Sequence, residues 1–141
     1  VSLAMSHVVP DLIQKILKGQ DPLHILGSGD QVRCYTYGGD LARGIVDSLD
    51  AAGTRNEDFN LSTAISTTVR ELAEIIWRHV HGPDRPLDFV HDDPYPHDVQ
   101  QRVPDVSKAL EVFGFAADTP IDSVLDELVP WIASAIDKGL V

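Results

Sequence analysis

The sequence predicts a mixed α/β domain, because helical and strand-like hydrophobic patterns alternate along its 141 residues. About five segments repeat apolar residues at helical spacing, and about four short ones read as strands. With 43% hydrophobic and 23% charged residues, the composition is that of a globular protein. We therefore expect residues 1–141 to form one domain around a single core.

The first two helices are predicted from amphipathic stripes with terminal signals. The first covers 8–17 and is followed by Gly19 as a stop signal. The second is predicted to be capped by Asp40 and to end at Gly53. Its apolar stripe comprises Leu41, Ala42, Ile45, Val46 and Leu49.

Capping signals predict the remaining three helices. Thr68 and Glu71 are spaced as a capping box that opens the third helix. Asp105 is expected to cap a short helix that ends at Gly114, and a similar capping pattern at 119–122 opens the terminal helix.

Four short strands are predicted at 23–26, 32–37, 59–61 and 87–91. The first strand enters the run 27–30, Gly-Ser-Gly-Asp. We interpret this run as a hairpin turn, because the third glycine of a dinucleotide-binding motif and the helix after it are missing.

Two arginines are candidate anion ligands. Arg33 shares a strand face with two tyrosines, and a guanidinium presents paired donors that match phosphate oxygens. Arg102 follows a proline-broken loop and could complete a diphosphate clamp. The alternatives are a surface ion pair for Arg33 and a salt bridge from Arg102 to Asp98 or Asp105.

The charge balance excludes several classes of partner. The chain carries 22 acidic against 11 basic residues, a formal charge of −11 that repels nucleic acid and anionic membranes. No apolar run approaches the roughly 20 residues of a membrane span, and no signal peptide is evident. Cys34 is the only cysteine, so no disulfide is expected and a cytoplasmic location is predicted.

The sequence predicts neither a metal site nor a catalytic residue. The segment 91–98 contains two histidines and three aspartates, but their spacing is irregular and prolines interrupt them. We find no Ser/His/Asp order, no Cys/His pairing and no paired carboxylates in an apolar setting.

Five segments match, in order and spacing, the pattern of a known family. They are SHVVPDL at 6–12, GSGDQVR with YTY and DLA within 27–42, FNL at 59–61, TVRELA at 68–73, and RVPDVSKA with FGF within 102–115. Together they resemble the carboxy-terminal portion of NAD-dependent nucleotide-sugar epimerases and dehydratases, the extended short-chain dehydrogenase/reductases.

The resemblance implies that the two halves of the parent enzyme have different functions. In this family the amino-terminal half carries the glycine-rich dinucleotide turn and a catalytic Tyr-x-x-x-Lys pair, and neither pattern occurs in this sequence. We therefore expect a fragment of a longer enzyme that lacks the dinucleotide-binding half. NAD is expected in the parent enzyme and not in this chain, and the parent would transiently oxidise a nucleotide-linked hexose.

The resemblance also implies a set of substrate-binding residues. Arg33 and Arg102 correspond to diphosphate ligands, and Asp105 to a ribose ligand. His7 and Val8 belong to the helix start beside the phosphates. The strand that carries His24 and Leu26 is the one whose backbone meets the nucleobase.

The expected substrate is a UDP- or dTDP-linked hexose, with epimerase, dehydratase and decarboxylase activities left open. The expected protein partner is a second copy of this chain or an amino-terminal dinucleotide-binding half. The competing hypothesis is a non-catalytic interaction module, because five amphipathic helices could pack into a partner.

Overall fold

The computed structural model describes residues 7–94 and 96–140. The helices are α1 Val8–Leu17, α2 Gly38–Asp50, α3 Val69–His81, α4 Ser107–Phe113 and α5 Ile121–Asp137. The strands are β1 Leu23–Leu26, β2 Val32–Arg33, β3 Thr67–Thr68, β4 Phe89–Asp92 and β5 Gln101–Arg102. The α/β class is confirmed, with five strands among these residues where four were predicted. In this part of the chain no helix is both long and apolar enough to cross a membrane.

The chain forms two compact units, and the first contains α1, β1, α3, β4 and α5. Its described residues lie within Val1–Gln31, Thr68–Gln100 and Asp122–Val141. β1 and β4 pair in parallel, from Leu23 opposite Phe89 to Leu26 opposite Asp92, and α1 packs against α3. The largest fully buried side chains of this unit are Leu12, Ile13, Ile16, Leu23, Ile25, Leu72, Ile76, Trp77, Leu125 and Ile132.

The second unit, Val32–Thr67 and Gln101–Ile121, contains β2, α2, β5 and α4. β2 pairs in parallel with β5, within a sheet of order β3-β2-β5. Its small core is built on buried Ala109, Phe115 and Ala117, and Phe59, Leu61 and Phe113 pack against it.

The helix predictions are confirmed for α1 and α3 and corrected for α2. The capping box is present, with the Glu71 amide donating to Thr68 Oγ1 at 3.1 Å and the Thr68 amide donating to Glu71 Oε2 at 2.8 Å. Asp40 was wrongly predicted as the cap of α2, which begins at Gly38 with Asp40 inside its first turn. The Asp40 carboxylate instead accepts hydrogen bonds from the Thr119 amide at 3.0 Å and from Arg43 Nη2 at 3.1 Å.

Two strand predictions were wrong or too long. Residues 59–61 form no strand, and Phe59 packs against the core of the second unit, with its ring centroid 5.1 Å from that of Phe113. The strand predicted at 32–37 ends at Arg33. Beyond it, Thr36 Oγ1 lies 2.9 Å from Ser62 Oγ and accepts the Thr63 amide at 3.1 Å, so side-chain bonds replace the strand ladder.

The glycine-rich run after β1 is a turn but not the predicted hairpin, because β1 and β2 belong to different sheets. Gly29 has a φ of +79°, and a Cβ there would lie 2.6 Å from Ile25 Cδ1, so only glycine fits. The Gly29 carbonyl accepts the Arg70 amide at 3.0 Å, which holds the turn against the start of α3.

Gly44 determines how closely α2 approaches the core of the second unit. A Cβ at Gly44 would lie 2.5 Å from Phe115 Cε2, and Phe115 is only 2% exposed. Glycine in a helix costs about 0.5–1 kcal/mol relative to alanine, so its presence here reflects this close contact.

Gly44→Ala is expected to destabilise the protein by about 1–2 kcal/mol, because overpacking against Phe115 outweighs the gain in helix propensity. Gly38→Ala is the matched control, since a Cβ at Gly38 meets no atom within 4 Å. Urea unfolding followed by circular dichroism measures both variants. Equal stability of the two variants would contradict the argument.

Asp40 is expected to make stability depend on acid pH. Burial alone would raise its pKa, but the bonds from Thr119 and Arg43 outweigh burial and lower it below the ordinary value. Its contribution is therefore full above the unfolded pKa, near 3.8, and is lost as pH falls through the folded value. Asp40→Ala should cost about 1–3 kcal/mol in urea unfolding at about pH 7 and distinctly less at about pH 3. The same cost at both pH values would contradict this linkage.

Candidate functional site

The two predicted arginines lie side by side in the second unit. Arg33 on β2 and Arg102 on β5 are register partners on adjacent parallel strands, so their side chains leave the same face of the sheet. Strands in a sheet are about 4.8 Å apart, and like charges placed opposite each other repel. Arg33 Nη1 donates to the Val32 carbonyl at 2.8 Å. Both residues are cations on a chain of net charge −11.

Tyr35 follows Arg33 by two residues and has an unusual hydroxyl. Burial raises the pKa of the phenol, and the Arg33 charge acts in the opposite direction. The hydroxyl is buried, and within the described part of the chain it has no hydrogen-bond partner. Arg33 therefore lies close enough to Tyr35 to influence it electrostatically.

Asp105 is held just beyond β5. Its carboxylate accepts hydrogen bonds from the Ser107 amide at 3.0 Å and from the Ser107 hydroxyl at 2.6 Å, which lower its pKa. Asp105 was wrongly predicted as the cap of α4, because the N-cap position is Val106 and Asp105 lies one residue before it, bonded to the first helical residue. The Asn60 amide group donates to the Asp105 carbonyl at 2.8 Å. Among residues 7–94 and 96–140, no ion pair joins Arg102 to Asp98 or Asp105, the alternative that the sequence left open.

The other predicted site residues belong to the first unit. His7 occupies the N-cap position of α1 without a side-chain cap bond, and its carbonyl accepts the Asp11 amide at 3.1 Å. Val8 is the half-buried first residue of α1. His24 and Leu26 alternate with buried neighbours on β1, so both project from its outer face.

The structure adds one residue to this set, Asp92 on β4. Its Oδ1 lies 2.9 Å from His24 Nδ1, and both side chains are partly exposed. The two residues are 68 positions apart in sequence, so no local pattern links them. In the sequence, Asp92 is distinguished only as a member of the irregular segment 91–98.

That segment does not assemble a metal centre in the described part of the chain. No group of three or more histidine, cysteine, aspartate or glutamate side chains is arranged to hold a metal ion there. His91 Nδ1 instead lies 2.9 Å from the Gly27 carbonyl, and Asp98 Oδ2 accepts from Gln31 Nε2 at 2.8 Å.

The chain belongs to the family described as GDP-mannose 4,6 dehydratase, whose pattern matches residues 3–128. This is a family of extended short-chain dehydrogenase/reductases, as the resemblance implied. The chain spans about two fifths of the length of the curated relatives it matches, 39% and 38% for the first two.

Three known proteins illustrate the likeness. UDP-N-acetyl-alpha-D-glucosaminuronate decarboxylase of Bacillus cytotoxicus is 28% identical over 127 residues, which cover 88% of this chain and 39% of that protein. UDP-glucose 4-epimerase of Thermotoga maritima, solved with UDP-glucose, has a TM-score of 0.72 at 26% identity and covers 96% of this chain and 41% of its own. MoeE5, solved with UDP-glucuronic acid and NAD, has a TM-score of 0.74 at 25% identity and covers 92% of this chain and 42% of its own.

Proposed function

We propose that residues 1–141 are the nucleotide-sugar-binding domain of an NAD-dependent sugar epimerase, dehydratase or decarboxylase, and that they are not catalytic by themselves. The observation that carries the proposal is the register pairing of Arg33 with Arg102. Two guanidiniums on one face of a sheet form a site for a diphosphate, because each can donate two hydrogen bonds to phosphate oxygens.

The relatives support the chemical class of the ligand. The Thermotoga maritima epimerase was solved with UDP-glucose and MoeE5 with UDP-glucuronic acid, and both ligands carry a uridine diphosphate. We therefore propose a UDP- or dTDP-linked hexose as substrate. In this proposal Asp105 accepts from a ribose hydroxyl, His7 and Val8 adjoin the phosphates, and β1 residues His24 and Leu26 contact the base.

NAD binding is proposed for the dinucleotide-binding half of the enzyme. The Gly27 to Gly29 turn is a poor cradle for a pyrophosphate, because its own chain fills the space beside both glycines. A Cβ at Gly27 would lie 2.8 Å from Gln31 Nε2, and one at Gly29 would lie 2.6 Å from Ile25 Cδ1. We accordingly assign no chemical step to this turn.

The arginine pair is tested by titrating the chain with UDP-glucose in a calorimeter. Arg33→Ala and Arg102→Ala should each weaken binding about 10- to 100-fold, the loss expected for one charged hydrogen bond. Arg55→Ala is the matched control, because Arg55 is an exposed arginine of the same unit. The proposed function would be refuted if Arg33→Ala and Arg102→Ala both kept the affinity for UDP-glucose, or if the parent chain showed no saturable binding.

An apolar face on α2 supports a protein partner. Leu41, Ile45, Val46 and Leu49 are 39%, 49%, 59% and 78% exposed, whereas the opposite side of the helix contacts Phe115 through Gly44. A row of exposed aliphatic side chains on one helix indicates an interaction surface. We propose that the dinucleotide-binding half covers this face and that a second copy of the chain covers it when that half is absent. This face also favours the competing hypothesis of an interaction module, which predicts no saturable effect of UDP or dTDP.

Sedimentation velocity at micromolar concentration tests the apolar face. The chain should self-associate, because this exposed surface is apolar. A specific interface between two copies is expected to bury at least about 1,000 Å². The double variant Ile45→Asp with Leu49→Asp should be monomeric, whereas Leu140→Asp, which alters an exposed leucine of the first unit, should not change association. A monodisperse monomer without dye-detectable apolar surface would contradict this proposal.

A further inference from the structure

Segment 82–88, which joins α3 to β4 in the first unit, is held against α3 through Arg85. The Arg85 Cζ atom lies 4.9 Å from the centroid of the Trp77 ring, and the Arg85 carbonyl accepts the Trp77 indole N–H at 3.1 Å. Arg85 Nη2 donates to Asp21 Oδ2 at 2.8 Å. Trp77 is 1% exposed, so its indole N–H needs a partner from the protein, and segment 82–88 supplies it.

The same arginine ties together the connections that lead into two paired strands. Asp21 lies just before β1, and Arg85 lies in the segment that precedes β4. Immediately beyond them, the Leu23 amide donates to the Asp88 carbonyl at 2.8 Å, at the start of the β1–β4 pair. Loss of the Arg85 contacts would therefore loosen the chain at the amino-terminal end of this pair.

His81, the last residue of α3, is the member of this cluster that titrates near neutral pH. Its ring packs on Trp77 with centroids 4.4 Å apart, and its Nδ1 lies 3.3 Å from Arg85 Nη1. A guanidinium can only donate hydrogen bonds, so Nδ1 must accept and the imidazole must be neutral. Protonation of Nδ1 removes this bond and places two cations next to each other.

Two charged groups act on the His81 ring, Arg85 from segment 82–88 and Asp21 from the connection between α1 and β1. Burial lowers the His81 pKa below its ordinary value, Arg85 lowers it further, and Asp21 acts in the opposite direction. On α3 itself, Arg78 Nε donates to the Glu74 carbonyl at 3.3 Å. The surroundings therefore favour the neutral imidazole that the bond from Arg85 requires.

Charged side chains on the helices beside α3 have other partners. On α1, Lys15 pairs with Asp11 at 2.8 Å. On α5, Asp126 Oδ1 lies 3.7 Å from Nε2 of His79, which is two residues before His81 and so on another side of α3. The two histidines at the end of α3 thus have different charged neighbours.

We propose that His81 is a proton-sensitive switch that controls how firmly segment 82–88 is held against α3. When His81 is neutral, the imidazole, the Trp77 ring and Asp21 hold Arg85 together. When His81 is protonated, Arg85 moves away from α3, and the acceptor of the Trp77 indole N–H is withdrawn with it. Because the folded pKa is lowered, the segment is held fully above the unfolded pKa, near 6.5, and is released as pH falls through the folded value.

Hydrogen exchange of the Trp77 indole N–H, measured by NMR at about pH 8 and about pH 4.5, tests the switch. After correction for the intrinsic pH dependence of exchange, its protection should fall about tenfold at the lower pH, because one hydrogen bond that holds segment 82–88 is lost. The Trp131 indole, on a residue that is 62% exposed, is the internal reference. Equal protection of Trp77 at the two pH values would overturn the proposal.

Two histidine variants separate the switch from other effects of acid. His81→Gln keeps an acceptor for Arg85 but does not titrate, so the protection of Trp77 should not change with pH. His79→Gln is the matched control on the same helix, since His79 faces Asp126, and it should keep the parent response. The proposal fails if His81→Gln responds to pH as the parent chain does.

Titration of the His81 ring protons by NMR is a second test in which the histidine remains. The pKa of His81 should lie below 6.5 in the parent chain and should rise in Arg85→Gln. That variant removes the neighbouring charge but keeps the backbone carbonyl that accepts the Trp77 indole. An unchanged His81 pKa in Arg85→Gln would contradict the coupling. Neither measurement uses a ligand, so the outcome is independent of the proposed function.

Discussion

Parallel pairing between strands that are distant in sequence is the constraint on which both units depend. β1 meets β4 and β2 meets β5, with Leu23 opposite Phe89 and Arg33 opposite Arg102. Parallel strands cannot be joined by a tight turn, so each pairing must close a long stretch of chain. The strands have only two to four residues, so few backbone hydrogen bonds join them. Burial of side chains must therefore supply the remaining stabilisation.

The same pairings create two side-chain juxtapositions. The β2–β5 register sets two guanidiniums on one face, and the β1–β4 pairing brings a carboxylate to a histidine ring.

Charge is distributed in a way that suits this assignment. The acidic excess of the chain disfavours polyanions in general, so affinity for an anion must come from a local arrangement of cations. Several cations are engaged by acids, including Lys15 with Asp11, Arg43 with Asp40 and Lys108 with Glu57. The acidic surface therefore disfavours nucleic acid, whereas the proposed function assigns a diphosphate to the sheet face that carries Arg33 and Arg102.

The sequence alone determined the helices, because their period and caps are local. The stripe of α1, the capping box of α3 and the apolar row on α2 could all be predicted from neighbouring residues. It also indicated both arginines as candidate anion ligands, with ion pairs as the alternative, and the family resemblance favoured the diphosphate role. Tertiary structure decided which strands pair, so the predictions of a hairpin at 27–30 and of a strand at 59–61 were wrong. It likewise decided that Asp40 binds Thr119 and that Asp92 orients His24, since partners 79 and 68 residues away leave no local pattern to detect.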